Sequence, residues 1–315
     1  MQPKSLAIVC TINNDREHTL GFIRRVCAEN LCHLYLFLDD SEHLSYIEKG
    51  LYSECLTVIP CTNVYWEKEL CYIPTDLNDK QHFNIEKGAA MARTANCSWC
   101  LSIDSDELVY NLRELLSYLT TQDEKTELLR LLPAELIHSE QTAFSNDAFL
   151  GRYFKLCLAE DILSKSLKML GLSLRIRFRK LKPLTRSLFF GHINGKTIFR
   201  LNLPITRYKQ HRQYSDVREL NEVVLPNNYL LLHYDAMNYT SWLEKWRKRI
   251  SGYTEISALS NQRRKQARKI KNSFSMFSRY RAKRLFRTWY IFSEKDIAAL
   301  IDSGVVIEIK DYIVS

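Results

Sequence analysis

The sequence predicts an α/β protein with a mostly parallel sheet flanked by helices and a basic helical C-terminal region. Within the first 110 residues, short and almost uninterrupted apolar segments recur, as expected of strands that are buried on both faces of a sheet. Segments with apolar residues three and four positions apart lie between them, which is the pattern of helices that cross over a parallel sheet. The 315 residues suffice for one large domain or two modest ones.

The predicted elements alternate between strand and helix up to residue 103. The strands are continuous apolar runs, and each helix shows an apolar stripe or begins at a capping residue. In chain order we predict strand Leu6–Ile12, helix Glu17–Glu29, strand His33–Leu38, a short helix capped by Ser41 and ending near Leu51, strand Leu56–Pro60, helix Gln81–Ala95 and strand Trp99–Ile103.

The remaining elements are predicted in the same way. In chain order they are a helix from a capping box at Asn111 and Glu114 to Leu119, strand Thr126–Leu132, a helical segment within Phe154–Leu174, strands Ser187–Phe190 and Thr197–Leu201, basic helices from Thr240 to Tyr290, a helix over 294–302, a turn at Gly304 and strand Val305–Ile309. No Pro-, Gly- or Ser-rich linker marks a boundary. We therefore divide the chain at the change in composition, into domains 1–240 and 241–315.

Glycine, cysteine and hydropathy exclude several classes of protein. With 9 glycines in the chain, neither a dinucleotide-binding fingerprint nor a P-loop is present. No apolar run approaches the 18 or so residues of a membrane-spanning helix, and Leu6–Cys10 is too short for the core of a signal peptide. The 9 cysteines are odd in number and irregularly spaced, which predicts free thiols in a reducing compartment, the cytoplasm. The single Cys97-x-x-Cys100 pair is interpreted as structural.

The charge is divided unevenly along the chain. Residues 1–174 carry 16 basic and 25 acidic residues, a net charge of 16 − 25 = −9, whereas residues 175–315 carry 29 and 11, a net charge of +18. Such an asymmetry suggests that the second half meets an anionic partner.

Acidic residues follow two of the predicted strands. Asp39 comes directly after the second strand, and the fourth strand runs into Asp104-Ser105-Asp106-Glu107. In open parallel sheets, ligands bind outside the carboxyl ends of the strands. Two carboxylates two residues apart at a turn can share one hard divalent cation, Mn²⁺ or Mg²⁺, with phosphate oxygens. A solvated acidic turn is the simpler alternative.

Four segments together resemble GT-A-fold glycosyltransferases, in particular the family 2-like and family 92-like groups. They are the helix and strand Asn84–Arg93 and Trp99–Glu107, the strand Gly195–Arg200 followed by His211, and the pair Leu231–Tyr234 and Trp242–Lys245. The matches occur in the family's order over residues 6–249. The resemblance implies a GT-A-like catalytic domain that transfers a sugar from a nucleoside-diphosphate sugar, with a UDP-sugar as the favoured donor, to an unidentified acceptor.

The resemblance also implies roles for individual residues. The metal, Mn²⁺ or Mg²⁺, would be held by Asp104, Asp106 and His211, with His233 as the alternative histidine or a contact of the diphosphate. The nucleotide sugar would be bound by Asp104 and His233 together with Thr11, Asn13, Asp39, Ser105, Lys196, Arg200 and Lys245. Each histidine and each cation among them could equally be an ordinary structural or surface residue.

The catalytic base is not identified by spacing. An inverting transferase needs a carboxylate near the acceptor hydroxyl. The carboxylates between the metal motif and Lys196 are Glu135, Asp147, Glu160 and Asp161. We favour Glu135, which follows a strand-like run, and keep Asp147 as the second candidate; a retaining mechanism would not require this base.

The segment 245–287 contains 15 basic residues and one acid, Glu255, interleaved with aromatic residues. This composition favours attachment to the periphery of an anionic membrane, or else helices that pack their aromatic residues on the protein; binding to nucleic acid is less favoured.

Two other functions remain as alternatives. A phosphatase with an aspartyl-phosphate intermediate also uses an Asp-x-Asp motif, but on its first strand and with Thr or Val where this chain has Leu108. The other alternative is a basic membrane- or nucleic-acid-binding protein whose transferase-like domain is not catalytic.

Overall fold

The computed structural model describes residues 5–39, 47, 54–145, 147, 149–251, 260–273 and 278–310. The chain forms two compact units. The first comprises Met1–Leu132 and Asn194–Leu231, and the second comprises Pro133–Ile193 and Leu232–Ser315. The short helix predicted from Ser41 to Leu51 lies outside the described residues.

The strands are β1 Leu6–Ile12, β2 His33–Leu38, β3 Leu56–Pro60, β4 Trp99–Ser102, β5 Glu107–Val109, β6 Leu128–Ile137, β7 Tyr153–Leu156, β8 Lys196–Arg200, β9 Arg207–Tyr208, β10 Gln213–Tyr214, β11 Glu222–Val224, β12 Leu230–His233 and β13 Val306–Glu308. The helices are α1 Arg16–Cys27, α2 Asn63–Leu70, α3 Leu77–Thr94, α4 Leu112–Thr120, α5 Glu140–Ala143, α6 Glu160–Met169, α7 Leu172–Leu181, α8 Tyr239–Ile250, α9 Asn261–Ser273, α10 Ser278–Tyr290 and α11 Glu294–Asp302.

The first unit is built on a mostly parallel sheet with the strand order β8-β4-β1-β2-β3. The pairs β4–β1, β1–β2 and β2–β3 are parallel, and β8 is antiparallel to β4. All but one residue of β1 are buried, as expected for a central strand covered by helices on both faces. The predicted α/β fold class with a mostly parallel sheet is therefore confirmed.

Helix α3 packs closely on β1. A Cβ atom added to Gly88 of α3 would lie 2.6 Å from Cγ2 of Val9, so only glycine allows this approach. Asp76 caps the N-terminus by accepting a hydrogen bond from the Asn78 amide, and the helix therefore begins four residues earlier than the sequence predicted.

The second unit combines a small antiparallel sheet with a helical core. Residues Ala134–Ile137 of β6 pair with β7, and β7 pairs with β13. Helices α8 and α10 contribute a cluster of aromatic side chains that includes Trp242, Phe286, Trp289 and Tyr290. This division differs from the predicted boundary at residue 240, because residues 133–193 share this core with the C-terminal helices.

Two local predictions are corrected. Asn111 has a left-handed backbone with φ of 55° and makes no capping hydrogen bond, so the predicted capping box with Glu114 does not form. Ser187 and Leu188 have positive φ angles, which excludes the strand predicted over Ser187–Phe190. The helical character predicted within Phe154–Leu174 is confirmed: the segment contains the end of β7, the whole of α6 and the start of α7.

Candidate functional site

Three side chains from the predicted site lie at one edge of the parallel sheet. Thr11 is the second-to-last residue of β1, Asp39 directly follows β2, and Asp104 follows β4 after one residue. Because β1 is parallel to both β2 and β4, the carboxyl ends of all three strands meet at the same edge. This is the edge at which open parallel sheets bind ligands.

The turn that carries Asp104 is closed by Glu107. The amide of Glu107 donates to the Asp104 carbonyl oxygen over 3.0 Å, and the Glu107 Oε2 atom accepts from the Asp104 amide over 2.8 Å. Glu107 is buried. Its carboxylate thus fixes the turn from the inside, while Asp104, Ser105 and Asp106 remain partly exposed.

The same turn is held from the start of α1. The Ser105 hydroxyl donates to Asn14 Oδ1 over 3.3 Å, and His18 Nε2 donates to the Ser105 carbonyl oxygen over 2.8 Å. Asn14 Nδ2 lies 2.7 Å from His18 Nδ1, the ring nitrogen that faces away from Ser105. Asn14 and His18 therefore position the acidic turn.

Lys196, the first residue of β8, brings a positive charge to the acidic turn. Its Nζ atom lies 2.8 Å from Asp104 Oδ2 and 3.4 Å from Glu107 Oε2, and only 1% of the side chain is exposed. Burial alone would raise the pKa of Asp104, but the charge of Lys196 outweighs it and the pKa is lowered. Asp104 is therefore ionised at neutral pH, and its other oxygen, Oδ1, accepts from Gln81 over 3.0 Å.

A glycine turn and a histidine flank Lys196. Gly195 has a φ of +66°, and an added Cβ would lie 1.9 Å from the Leu131 carbonyl oxygen, so this position requires glycine. His211 Nδ1 donates to the Gly195 carbonyl oxygen over 2.7 Å, which makes Nε2 the acceptor nitrogen. Burial, and then the charge of Lys196, lower the pKa of His211, so that the ring is neutral at pH 7.

The donor set fits a divalent cation only in part. Within the described residues, no three His, Cys, Asp or Glu side chains converge into a site that could hold a metal ion. The predicted trio of Asp104, Asp106 and His211 is thus not a preformed metal cage. Two carboxylates at a turn nevertheless match the way Mg²⁺ and Mn²⁺ bind between a protein and substrate phosphates. The residues fit a cation that is completed by a phosphate ligand.

The predicted nucleoside contacts lie on β1 and β2 and on the residues that follow them. Thr11 Oγ1 accepts from Asn84 Nδ2 over 3.0 Å, and Asn13 is half-buried directly after β1. The Asp39 carboxylate binds Lys80 Nζ at 2.8 and 3.0 Å, and its side chain is only 5% exposed. Asp39 and Thr11 are therefore oriented by contacts from helix α3.

Arg200 does not lie with the carboxylates, contrary to its expected role beside the donor phosphates. It is paired with Trp99 at the start of β4, about 16 Å along the strand from Asp104. Its guanidinium stacks on the Trp99 ring at 4.2 Å and donates to main-chain carbonyls, those of Thr126, Gln122 and Asp123. Arg200 thus holds the loop before β6.

Four of the predicted site residues belong to the second unit. Glu135, the favoured catalytic base, is fully buried and accepts hydrogen bonds from Lys155 Nζ at 2.7 Å, the Phe190 amide at 3.0 Å and the Gly191 amide at 2.6 Å. Three donors thus occupy the carboxylate, as expected of a buried structural ion pair. Asp147, the second candidate, is exposed and accepts from the Phe149 amide over 2.9 Å.

Lys245 and His233 lie near a buried aspartate. Lys245 Nζ lies 3.1 Å from Asp235 Oδ1, which also accepts from Arg263 over 2.8 Å. Burial alone would raise the pKa of Asp235, but Arg263, Lys245 and His233 together hold it well below its ordinary value. Lys245 therefore neutralises a buried carboxylate of the second unit.

Four residues that organise the acidic turn are not among the site residues predicted from the sequence: Asn14, His18, Gln81 and Glu107. Glu107 is the acid that directly follows the Asp-x-Asp motif, and its three-residue spacing from Asp104 is a signal that its carboxylate could accept from the Asp104 amide. Gln81, Asn14 and His18 carry no comparable signal, because their contacts join elements that are distant in the chain.

Comparison with known proteins gives one informative relative. No protein-family profile matches the chain. A protein of Arabidopsis thaliana is 25% identical over 188 residues, which cover 56% of this chain and 39% of the relative. That relative is named glycosyltransferase-like. The resemblance to glycosyltransferases predicted from the sequence is confirmed, for a chain that spans about two fifths of the relative's length.

The chain is weakly similar to solved structures of one bacterial enzyme. Glucosyl-3-phosphoglycerate synthase from Mycobacterium tuberculosis, in complex with Mn²⁺, UDP and phosphoglyceric acid, is 14% identical with a TM-score of 0.26; the match covers 64% of this chain and 57% of that one. The same enzyme in complex with Mn²⁺, UDP-glucose and phosphoglyceric acid is 13% identical with a TM-score of 0.27, and that match covers 64% of this chain and 58% of the enzyme. Because TM-scores of this size do not establish a shared fold, the fold class follows from the strand order of the first unit itself.

Proposed function

We propose that this chain is a glycosyltransferase of the GT-A type, which binds a nucleoside-diphosphate sugar at the carboxyl edge of β1, β2 and β4. The observation that carries the proposal is the fixed turn at Asp104, in which an ionised and partly exposed carboxylate is held by Lys196, Gln81 and Glu107. The Arabidopsis relative that is named glycosyltransferase-like supports it.

In the proposed reaction the acceptor hydroxyl gives its proton to a base, its oxygen forms a bond to the anomeric carbon, and the bond from that carbon to the diphosphate oxygen breaks. Negative charge develops on the departing nucleoside diphosphate, and fixed positive charge nearby lowers the barrier. Lys196 contributes such a charge and keeps Asp104 ionised. Thr11, Asn13 and Asp39 are the proposed nucleoside contacts, and uridine diphosphate is the first nucleotide to test.

The proposal includes a divalent cation that the protein and the diphosphate of the donor would bind together. Asp104 and Asp106 would hold Mn²⁺ or Mg²⁺, with His211 as a third contact, and the ion would supply positive charge to the diphosphate. The tautomer of His211, with its proton on Nδ1 and facing the Gly195 carbonyl oxygen, is the one found in histidines that bind metals through Nε2.

The proposal is tested by titrating the purified protein with UDP, with Mn²⁺ or with a chelator present, and by following the heat of binding. We expect binding that requires Mn²⁺ and that falls at least about tenfold in Asp104→Asn and in Asp106→Asn, because each loses a charged oxygen ligand. Glu124→Gln, which changes an exposed acid of the same unit in the same way, is the matched control. Equal affinities in all three variants would refute the assignment.

Catalysis is tested separately from binding. Incubation with UDP-sugars and Mn²⁺ should release UDP slowly by transfer of the sugar to water, and this release should stop in Asp104→Asn. Binding of UDP without any such release would instead favour the alternative of a non-catalytic, transferase-like binding protein.

A further inference from the structure

Helices α6 and α7 of the second unit expose an unusual amount of apolar surface. Four large side chains within fifteen residues are open to solvent: Ile162 is 49% exposed, Met169 69%, Leu172 70% and Ile176 45%. Met169 ends α6 and Leu172 begins α7, so the two most exposed side chains flank the two-residue link between the helices. Exposed apolar residues that cluster in this way indicate an interaction surface.

Each helix has a separate inner face that accounts for its packing. On α7, Leu174, Phe178 and Leu181 follow one another at four- and three-residue spacing and are buried in the core of the second unit. Leu163 of α6 and Leu170, which directly follows α6, are buried in the same core. The exposed apolar residues are therefore not needed to hold the helices in place.

The outer face of α7 combines apolar and cationic side chains. Leu172, Arg175, Ile176 and Arg179 are spaced i, i+3, i+4 and i+7, which places them on one face of the helix, and all four are exposed. α7 has no acidic residue. Arg177, by contrast, turns inward, where its guanidinium lies 3.7 Å from the Phe292 ring centroid.

Helix α6 repeats this composition on a smaller scale. Ile162, Lys165 and Met169 are spaced i, i+3 and i+7, and Lys168 is exposed beside them. Its two acids, Glu160 and Asp161, are confined to the first turn, at the end away from the link to α7. We call this region the α6–α7 surface; it consists of Ile162, Lys165, Lys168, Met169, Leu172, Arg175, Ile176 and Arg179.

We propose that the α6–α7 surface binds the interface of an anionic lipid membrane, with Met169 and Leu172 entering the headgroup region and the cations contacting lipid phosphates. Amphipathic helices with apolar and basic residues on one face bind membranes in this way. The complementarity of charge selects an anionic lipid surface over a neutral one. The inference does not depend on glycosyl transfer.

This surface differs from the basic segment 245–287, in which the sequence analysis expected membrane attachment. In that segment Trp246 and Phe286 are buried in the core, so they are not available to a bilayer, whereas Tyr280 on α10 is exposed. Exposed cations remain there, for example Lys265 and Lys269 on α9, but they lack the large apolar neighbours found on α7.

The experiment is co-sedimentation of the full chain with vesicles of phosphatidylcholine alone and of equal parts phosphatidylcholine and phosphatidylserine, at low and high salt. We expect binding to the anionic vesicles only, and weaker binding at high salt because the attraction is screened. Arg175→Glu/Arg179→Glu should reduce affinity at least about twentyfold, since each cation near an anionic surface contributes about fivefold. Met169→Ser/Leu172→Ser should also reduce it, without a change in charge.

Two matched controls keep the test specific. Val64→Ser/Val217→Ser removes equally exposed apolar side chains, 72% and 74%, from the first unit and should bind like wild type. Lys265→Glu/Lys269→Glu reverses two exposed cations on α9 and should lose much less affinity than the α7 variant. Because all these side chains are exposed, thermal midpoints should be unchanged.

The proposal is overturned if wild type shows no preference for anionic vesicles at low salt. It is also overturned if the α9 variant loses binding while the α7 variant retains it. Sedimentation equilibrium supplies the remaining outcome: a wild-type dimer that Met169→Ser/Leu172→Ser dissociates would assign the surface to a second copy of the chain instead of a membrane.

Discussion

The Nζ atom of Lys196 lies 2.8 Å from Oδ2 of Asp104, and the lysine side chain is almost completely buried. Lys196 begins β8 and Asp104 follows β4, so the antiparallel pairing of these strands brings together two charges that are 92 residues apart in the chain. The acidic turn therefore contains its own counter-charge, which is the basis of the first prediction.

Replacing Lys196 with methionine should lower the free energy of unfolding by about 2 kcal/mol, because the partly buried Asp104 carboxylate loses its partner. A fully buried pair would lose more, but about a third of the Asp104 side chain is exposed and water screens its charge. Lys196 holds the pKa of Asp104 below 3.8, so its contribution is present above that pH and is lost as pH falls through the lowered value. Urea unfolding of Lys196→Met and wild type at neutral and acid pH measures this difference, which should shrink in acid.

His211 and His233 should differ in their effect on nucleotide binding. His211 is the neutral imidazole next to the acidic turn, whereas His233 belongs to the second unit. We expect His211→Ala to weaken Mn²⁺-dependent UDP binding at least about tenfold and His233→Ala to leave it unchanged. Titration calorimetry distinguishes them, and small, equal losses in both variants would remove histidine from the site.

The buried His138 should make the protein sensitive to acid. Its Nε2 donates to the Ala236 carbonyl oxygen over 2.6 Å, and burial lowers its pKa from 6.5 to about 4. Because the pKa of His138 is lower in the folded than in the unfolded protein, the buried neutral ring adds fully to the free energy of unfolding above pH 6.5, and this stability is lost as pH falls towards 4. We expect about 2 kcal/mol to be lost between about pH 7 and pH 5. Unfolding curves of His138→Gln should lack this portion of the pH dependence.

The two candidate bases should separate by their effects on stability and on activity. Glu135→Gln leaves the buried Lys155 without its counter-charge and should destabilise the protein by about 3 kcal/mol or more. Asp147→Asn changes an exposed side chain and should leave the unfolding free energy within about 0.5 kcal/mol of wild type.

Activity then decides the role of Asp147. If it is the base, sugar transfer by Asp147→Asn should fall about a hundredfold while UDP binding is unchanged. A Glu135→Gln protein that is as stable as wild type but inactive would return the base to Glu135, since a purely structural ion pair predicts the opposite.

The strands and the acidic edge were predictable because they depend on local composition. β1, β2 and β3 were predicted with the bounds that the structure has, since a continuous apolar run between polar residues indicates a strand, both where it is buried, as in β1 and β2, and where it is half-buried, as in β3. The position of Asp39 and Asp104 at strand ends followed from the same pattern, and their meeting at one edge followed from the parallel sheet.

The partners of these residues were not predictable in the same way. Lys196 and Arg200 lie on one short strand with similar charge, yet one binds Asp104 and the other holds a loop at the far end of β4. The antiparallel register of β8 decides which is which, and register depends on pairing across the sheet. The two roles were therefore assigned alike from the sequence.

The sequence by itself determined the α/β class, most of the strands of the parallel sheet and the acidic turn, because apolar runs and the alternation of strand and helix patterns are set by residues that are neighbours in the chain. Only the tertiary structure decided that Glu135 is paired with Lys155, that Trp246 and Phe286 of the basic helices are buried, and that α7 presents Leu172 and Arg175 to solvent. Each of these outcomes depends on which face of an element meets the core, and that choice is made by contacts between residues far apart in the chain.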